Sequence, residues 1–161
     1  MKDNISSMLN EARREHLDKI IKRYPKKQAA LLPALYLVQD QAGYISKEAM
    51  QYIADYLEIP YGHVLGVVTF YTMFYDKPIG RHHIQVCTNV SCQLLGSEPL
   101  VSHIGKQCGV KPGETSEDGR FTLSEVECLG SCGTAPMMQV NDDYHENLTV
   151  EKVDALLESM K

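Results

Sequence analysis

The chain has 161 residues, of which 43% are hydrophobic and 23% charged, and its formal net charge is −5. This length suits one domain or two small ones, and the composition is that of an ordinary globular protein with a small core. The negative charge argues against general nucleic-acid binding, so no nucleic-acid partner is expected.

The apolar stretches indicate in which compartment the chain resides. The segment MKDNISSMLNEARREH carries charges where a signal peptide has its apolar core, and the longest apolar stretch, near VLGVVTF, is too short to span a bilayer. We therefore expect a cytoplasmic protein without direct membrane insertion. In that reducing compartment, clustered cysteines bind metal or do redox chemistry more often than they form structural disulfides.

The first half of the sequence is predicted to be helical. Apolar residues recur at helical spacing from Ile5 to Tyr24. A second apolar stripe ends at Gly43, where a left-handed C-cap is expected, and Ser46 is predicted to cap a third helix that Ile59-Pro60 ends. The next stretch, YGHVLGVVTFYTMFYDKP, is apolar and aromatic enough to be buried. Pro78-Ile79-Gly80 then offers a boundary.

After that boundary the period changes to that of strands. Ile84 and Val86 alternate with more polar neighbours in a first predicted strand, and Ser97 is predicted to cap a helix whose apolar stripe ends at Cys108 before Gly109. A turn at residues 118–119 leads into a second predicted strand, RFTLSEVEC. The segment MMQV and the polar residues after it predict a strand pair, and Thr149 is predicted to cap the last helix.

Four of the five cysteines fall into two short loops. Cys87 and Cys92 form a C-x4-C pair, and Cys128 and Cys132 form a C-x3-C pair. Both pairs follow predicted strands, so the loops emerge at the same end of a sheet if those strands are neighbours. Cys108 lies on the apolar stripe of its helix and is interpreted as a core residue, because free cysteine is commonly buried.

Several chemistries compete for the four thiols. A zinc site remains possible, although neither loop has the common x2 spacing. A thioredoxin-type dithiol needs C-x-x-C, which is absent, and no histidine forms a recognisable signature with a cysteine. Two separate pairs suit a 2Fe-2S cluster best, because each of its two irons takes two thiolates. The glycines Gly130 and Gly133 then let backbone amides approach the charged sulfurs.

With these motifs the sequence resembles a known family, the peripheral thioredoxin-like 2Fe-2S subunit of bacterial NADH:quinone oxidoreductase, respiratory complex I. The segments ALYLVQDQAGYIS, YGHVLGVVTFYTMF, VCTNVSC and ECLGSCGTAPMMQVND carry the resemblance. It implies an α+β chain with an N-terminal helical bundle, residues 1–79, followed by a thioredoxin-like 2Fe-2S ferredoxin domain, residues 80–161.

The resemblance also implies a cofactor, ligands and partners. It implies one 2Fe-2S cluster, and the residues that match the ligand positions are Cys87, Cys92, Cys128 and Cys132. It implies a heterodimer with a subunit that binds NADH and FMN, in a peripheral arm on the cytoplasmic side of the membrane. The chain is then a non-catalytic electron-transfer subunit that is inactive alone, in keeping with the absence of G-x-G-x-x-G and G-x-x-x-x-G-K-[ST] motifs.

Three alternatives stay open at this point. The first is an equivalent diaphorase subunit of an NAD-linked hydrogenase or formate dehydrogenase. The second is a free electron carrier, and the third is a non-redox zinc module with four cysteine ligands. Two interpretations also stay open for a group of aromatic residues, because interfaces and cores are both enriched in Tyr and Phe. They form part of a docking face for the partner, or they pack within the helical region; these residues are Phe70, Tyr71, Phe74 and Tyr75.

Overall fold

The computed structural model describes residues 8–160. It divides the chain into two compact units, which meet in the sequence between Pro78 and Ile79. The predicted beginning of the first helical stretch at Ile5 lies outside the described residues.

The first unit is helical. It contains α1, α2, α3 and α4, with a 3-10 turn at Lys27–Ala30, and the helices span Glu11–Ile21, Leu31–Ala42, Lys47–Leu57 and Tyr61–Phe70. Gly43 ends α2 in the left-handed conformation (φ +81°), and the Ser46 hydroxyl accepts a hydrogen bond from the Ala49 N–H at 3.1 Å, so both predicted caps are confirmed. Helix α3 ends before the predicted Ile59-Pro60, with Glu58 as a left-handed C-cap (φ +58°).

The core of the first unit lies mainly between α2 and α3, and the predicted burial of the stretch from α4 onward is largely wrong. Within α4 the buried residues are Val64 and Val68, which share one face of the helix. Phe70 at its end is 76% exposed. One packed face accommodates only one stripe of an apolar helix, so Tyr61 and Val67 are only partly buried and Leu65 and Phe70 are exposed.

The second unit contains a mixed four-stranded sheet and three helices among the described residues. The strands β1 to β4 span His82–Cys87, Phe121–Val126, Met138–Val140 and Asp143–His145, and the helices α5, α6 and α7 span Val90–Leu94, Ser97–Cys108 and Val150–Ser159. The sheet order is β2-β1-β3-β4, with β1 parallel to β2 and the other pairs antiparallel. The predicted α+β class is therefore confirmed.

Helix α6 provides the crossover that a parallel strand pair requires. It packs against the sheet face that carries Ile84 and Val86, together with α7. The predicted Ser97 cap is wrong: Gly96 (φ +96°) is the N-cap, and Ser97 is the fully buried first residue of α6. Glycine enters the left-handed region without steric cost, which turns the chain into the helix without a side-chain cap.

The other predicted turns and caps of this unit are confirmed. Gly119 (φ +67°) lies in the turn before β2, and Asn141 (φ +54°) lies in the tight turn between β3 and β4. The Thr149 hydroxyl accepts a hydrogen bond from the Lys152 N–H at 3.3 Å and begins α7. These signals are local, so they could be recognised in the sequence.

Candidate metal centre

The register of β1 and β2 brings the two cysteine loops to the same edge of the sheet. Cys87, the last residue of β1, is the register partner of Val126, the last residue of β2. Parallel strands end at the same edge, so the loop after β1 and the loop after β2, which carries Cys128, leave the sheet side by side. The condition stated in the sequence analysis, that the two strands are neighbours, is therefore met.

The first loop is short because Asn89 begins a helix at once. The Asn89 Oδ1 accepts a hydrogen bond from the Val90 N–H at 2.9 Å, and α5 then carries Cys92 back toward β1. Cys87 and Cys92 are only 3% and 1% exposed. Helix α5 was not predicted: Asn89 is a recognised N-cap residue, but Val90, Ser91 and Cys92 are weak helix formers.

The second loop holds the two exposed thiols of the site, those of Cys128 and Cys132. Gly130 has a left-handed backbone (φ +78°), and its N–H donates a hydrogen bond to Cys128 Sγ at 3.3 Å. The predicted role of Gly130, in which its backbone amide turns toward sulfur, is confirmed. Gly133 lies in the 3-10 turn Cys132–Thr134 without a left-handed conformation, so its contact with sulfur stays a prediction.

The Cys87 thiol interacts with thiols of both loops. Burial raises its pKa, but the backbone N–H groups of Asn89 and Leu129 donate hydrogen bonds to the sulfur. The thiols of Cys92 and Cys128 also donate to the Cys87 sulfur and act in the same direction as these N–H groups, so the net result is a lowered pKa of Cys87. Cys87 is therefore stabilised as a thiolate, the form that binds metal.

Cys92 is the second buried thiol of the site. Burial, followed by its contact with Cys87, raises the pKa of Cys92, and the neighbouring Cys132 also acts to raise it. The backbone N–H of Met137 donates to the Cys92 sulfur and acts in the opposite direction. Met137 is fully buried and, with the partly buried Leu129 and Ala135, forms an apolar wall against Cys87 and Cys92. The Ala135-Pro136 peptide, whose isomer the sequence did not reveal, is cis.

These donors fit a binuclear iron-sulfur cluster. Backbone N–H groups point at cysteine sulfur in both loops, and such hydrogen bonds would stabilise the negative charge of thiolates that hold a cluster. Among residues 8–160, no three His, Cys, Asp or Glu side chains converge closely enough to hold a single metal ion. A 2Fe-2S cluster does not need such convergence, because each iron takes only two protein ligands.

Cys108 lies at the other end of β2 from this site. It lines a small cavity with Arg120 and Phe121, at the beginning of that strand, and packs against the core of the second unit. It is half-buried, and burial raises the pKa of its thiol. This position agrees with its interpretation as a packing residue.

A mixed sheet that presents two cysteine pairs beside a parallel strand pair defines a class of small iron-sulfur proteins with a thioredoxin-like fold. The chain belongs to the thioredoxin-like [2Fe-2S] ferredoxin family, whose model matches residues 17–161. The predicted fold and the predicted cofactor, one 2Fe-2S cluster, are thereby confirmed.

Curated relatives match almost the whole chain. The E 2 subunit of the NADH-quinone oxidoreductase of Rhizobium meliloti is 47% identical over 148 residues, which cover 92% of this chain and 88% of the relative. The E subunit of the NADH-quinone oxidoreductase of Rickettsia bellii is 46% identical over 145 residues, with coverage of 88% and 87%. The family resemblance found in the sequence is therefore confirmed.

A solved structure shares the fold. The NAD+-reducing [NiFe]-hydrogenase in its air-oxidized state superposes with a TM-score of 0.70 at 24% identity, over 81% of this chain. The chain spans only 22% of that hydrogenase chain. In the part of this chain that the structure describes, no helix has the length and apolar character needed to cross a membrane.

Proposed function

We propose that the chain is the electron-transfer subunit of an NADH:quinone oxidoreductase, with one 2Fe-2S cluster held by Cys87, Cys92, Cys128 and Cys132. When bound, the cluster supplies the transfer of one electron at a time. The observation that carries the proposal is the register that aligns Cys87 with Val126 and so brings both thiol pairs to one edge of the sheet.

The two thiol pairs have different environments, and this difference has a function in the proposal. The pair on β1 and α5 is buried against the apolar wall around Met137, which excludes water from one side of the site. Cys128 and Cys132 are exposed and face the side from which an electron donor approaches. The amides of Asn89, Leu129 and Gly130 stabilise negative charge on the sulfurs.

The proposal assigns NADH and FMN to a partner subunit. Hydride transfer is a two-electron step that belongs to nicotinamide and flavin, and this sequence has no nucleotide-binding motif. The chain is then a non-catalytic subunit, inactive alone, in a heterodimer with the flavin subunit on the cytoplasmic side of the membrane. We assign the cluster to the domain of residues 80–161 and docking on the partner mainly to the helical region of residues 1–79.

The alternative function has the same one-electron transfer by a 2Fe-2S cluster but places the chain in a different complex. The fold of the NAD+-reducing [NiFe]-hydrogenase suits an equivalent diaphorase subunit of a hydrogenase, or of a formate dehydrogenase. Identities of 46% and 47% to NADH-quinone oxidoreductase subunits, against 24% to the hydrogenase, favour the first assignment. The family match also favours iron-sulfur over the zinc alternative.

The composition and spectrum of the purified chain test the cluster and its ligands. We expect a red-brown protein with about equal amounts of iron and acid-labile sulfide and an EPR signal in the reduced state. Cys128→Ala should alter or abolish that signal, whereas the matched control Cys108→Ala should leave it unchanged. A colourless chain with stoichiometric zinc, or loss of the cluster in Cys108→Ala, would contradict the proposal.

The assembly is tested by co-expression with the flavin subunit. We expect the two chains to co-purify, and NADH to reduce the cluster of the pair but not that of the isolated chain. A chain that stays alone and is still reduced by NADH would contradict the assigned division of tasks.

A further inference from the structure

The loop with the two exposed thiols and the residues just after it contact one short segment, residues 144–148, which we name the brace. The Tyr144 hydroxyl donates a hydrogen bond to the carbonyl oxygen of Leu129 at 2.8 Å. The N–H of Asn147 donates to the carbonyl of Thr134 at 2.7 Å, and the N–H of Leu148 donates to that of Pro136 at 3.0 Å. The end of β4 and the residues that follow it therefore hold the loop Cys128–Cys132 and the segment just after that loop.

Glu146 is the one acidic residue of the brace, and it binds on both sides of Cys132. The hydroxyl of Thr134 donates to Glu146 Oε1 at 2.6 Å, and the hydroxyl of Ser131 donates to the same oxygen. The two hydroxyls also lie 2.7 Å from each other. A single carboxylate oxygen thus fixes the residue before the 3-10 turn Cys132–Thr134 and the last residue of that turn.

The charge of Glu146 is close to the site although the side chain is exposed. The hydrogen bonds from Ser131 and Thr134 lower its pKa, so it is ionised at neutral pH. A reduced 2Fe-2S cluster with four thiolates carries one more negative charge than the oxidised cluster. A neighbouring carboxylate therefore opposes reduction and makes the reduction potential more negative.

We propose that Glu146 is a positioning residue that holds the Cys128–Cys132 loop in its cluster-binding conformation, and that its negative charge lowers the reduction potential of the cluster. This inference depends on the ligand assignment of the proposed function. Two substitutions separate the positioning effect from the effect of charge. Glu146→Gln keeps an oxygen that accepts hydrogen bonds from Ser131 and Thr134 but removes the charge, whereas Glu146→Ala removes both the acceptor and the charge.

The experiment compares Glu146→Gln and Glu146→Ala with a matched control, Glu151→Gln, in the full-length chain with its cluster. Glu151 is an exposed acid in the first turn of α7, and the hydroxyl that lowers its pKa belongs to Thr149 rather than to the cluster loop. Reduction potentials are measured by EPR-monitored redox titration. Loop stability is measured as the rate of cluster loss to an iron chelator.

We expect Glu146→Gln to shift the potential to a more positive value than Glu151→Gln does, with a rate of cluster loss close to that of the wild type. Glu146→Ala should shift the potential in the same direction and lose the cluster several-fold faster. A potential equal to that of the control would overturn the effect of charge. A rate of loss in Glu146→Ala equal to that of the control would overturn the positioning role.

A second measurement keeps the positioning role testable if Glu146→Ala loses its cluster during purification. Amide hydrogen exchange in the cluster-free chains should be faster at residues 129–134 in Glu146→Ala than in Glu151→Gln, and equal exchange would overturn the proposal. A wild-type chain without an iron-sulfur cluster would instead contradict the proposed function, and the exchange experiment would still report on Glu146.

Discussion

His83 on β1 shows how one buried side chain connects the stability of the sheet to pH. The side chain is 4% exposed, and its Nε2 lies 2.8 Å from the hydroxyl oxygen of Ser124 on β2. Burial lowers the pKa of the imidazole to about 4. The unfolded chain takes up this proton near pH 6.5, whereas the folded chain does not until pH falls to about 4.

We therefore predict that the free energy of unfolding decreases as the pH falls from about 6.5 toward 4. Between about pH 7 and pH 5 the contribution of His83 is roughly 2 kcal/mol, and it lowers stability at the acidic end because the unfolded state binds more protons there. Denaturant unfolding followed by circular dichroism checks this, with His83→Gln as the comparison. Equal pH slopes in the two proteins would contradict the prediction.

At the residue scale, the sequence was informative where the determining contact is local. Ser46, Thr149 and Gly43 act within one helical turn of their own position, so residue type and spacing were sufficient to predict them. The bonds of Glu146 to Ser131 and Thr134 connect two loops that no periodic pattern relates. A single sequence contains no signal for such a contact.

At the scale of elements, the aromatic residues of α4 and of the chain after it differ in their exposure to solvent. Phe74 is 5% exposed and packs edge-on against Tyr36, with ring centroids 5.1 Å apart, so it belongs to the core of the helical unit. Phe70, four residues earlier, is 76% exposed. Tyr71 contacts the rings of both. Only part of the predicted docking face is therefore exposed.

The two phenylalanines should separate packing from docking. We predict that Phe74→Ala lowers the free energy of unfolding by about 3–5 kcal/mol, because it leaves a cavity in the core. Phe70→Ala should change stability by less than about 0.5 kcal/mol, as expected for an exposed position, and should weaken binding to the flavin subunit. Denaturant unfolding and a titration with that subunit measure the two effects. Unchanged affinity in Phe70→Ala would remove this residue from the interface.

Strands and most helices were predicted correctly because their hydrophobic periods differ, but the burial of the stretch from α4 onward was not. The period of β1 is visible in Ile84 and Val86, which face the core of the second unit. Helix α4 is apolar on all sides, so its sequence does not reveal which face is packed. That information resides in the contact with α3 and, by our proposal, in a partner chain.

At the scale of the whole molecule, each unit has a core of its own. The buried residues of the helical unit form one cluster, and those of the sheet with α6 and α7 form another. All four proposed ligands belong to the second unit. The fold of the whole chain and its cofactor were predicted from the resemblance of the sequence to a known family. The spacing of the cysteines alone did not decide between zinc and an iron-sulfur cluster.

We predict from this division that a chain reduced to residues 79–161 folds and still binds the cluster, but no longer associates with the flavin subunit. The physical reason is that the buried core of the second unit is formed by residues after Ile79 and the four thiols belong to the same unit, whereas we assign docking mainly to the helical region. The reduced-state EPR spectrum and co-purification check the two outcomes. A truncated chain that binds the flavin subunit as tightly as the full chain would contradict the assignment.

The register that aligns Cys87 with Val126 also imposes an order on maturation. The two strands are separated in the sequence by α5, α6 and the turn before β2, so the cysteine pairs lie far apart until this non-local pairing has formed. A shift of one residue would turn the Cys87 side chain to the opposite face of the sheet. We therefore expect insertion of the cluster to follow correct pairing of β1 with β2, so that a chain that retains iron and sulfide has formed this pair of strands.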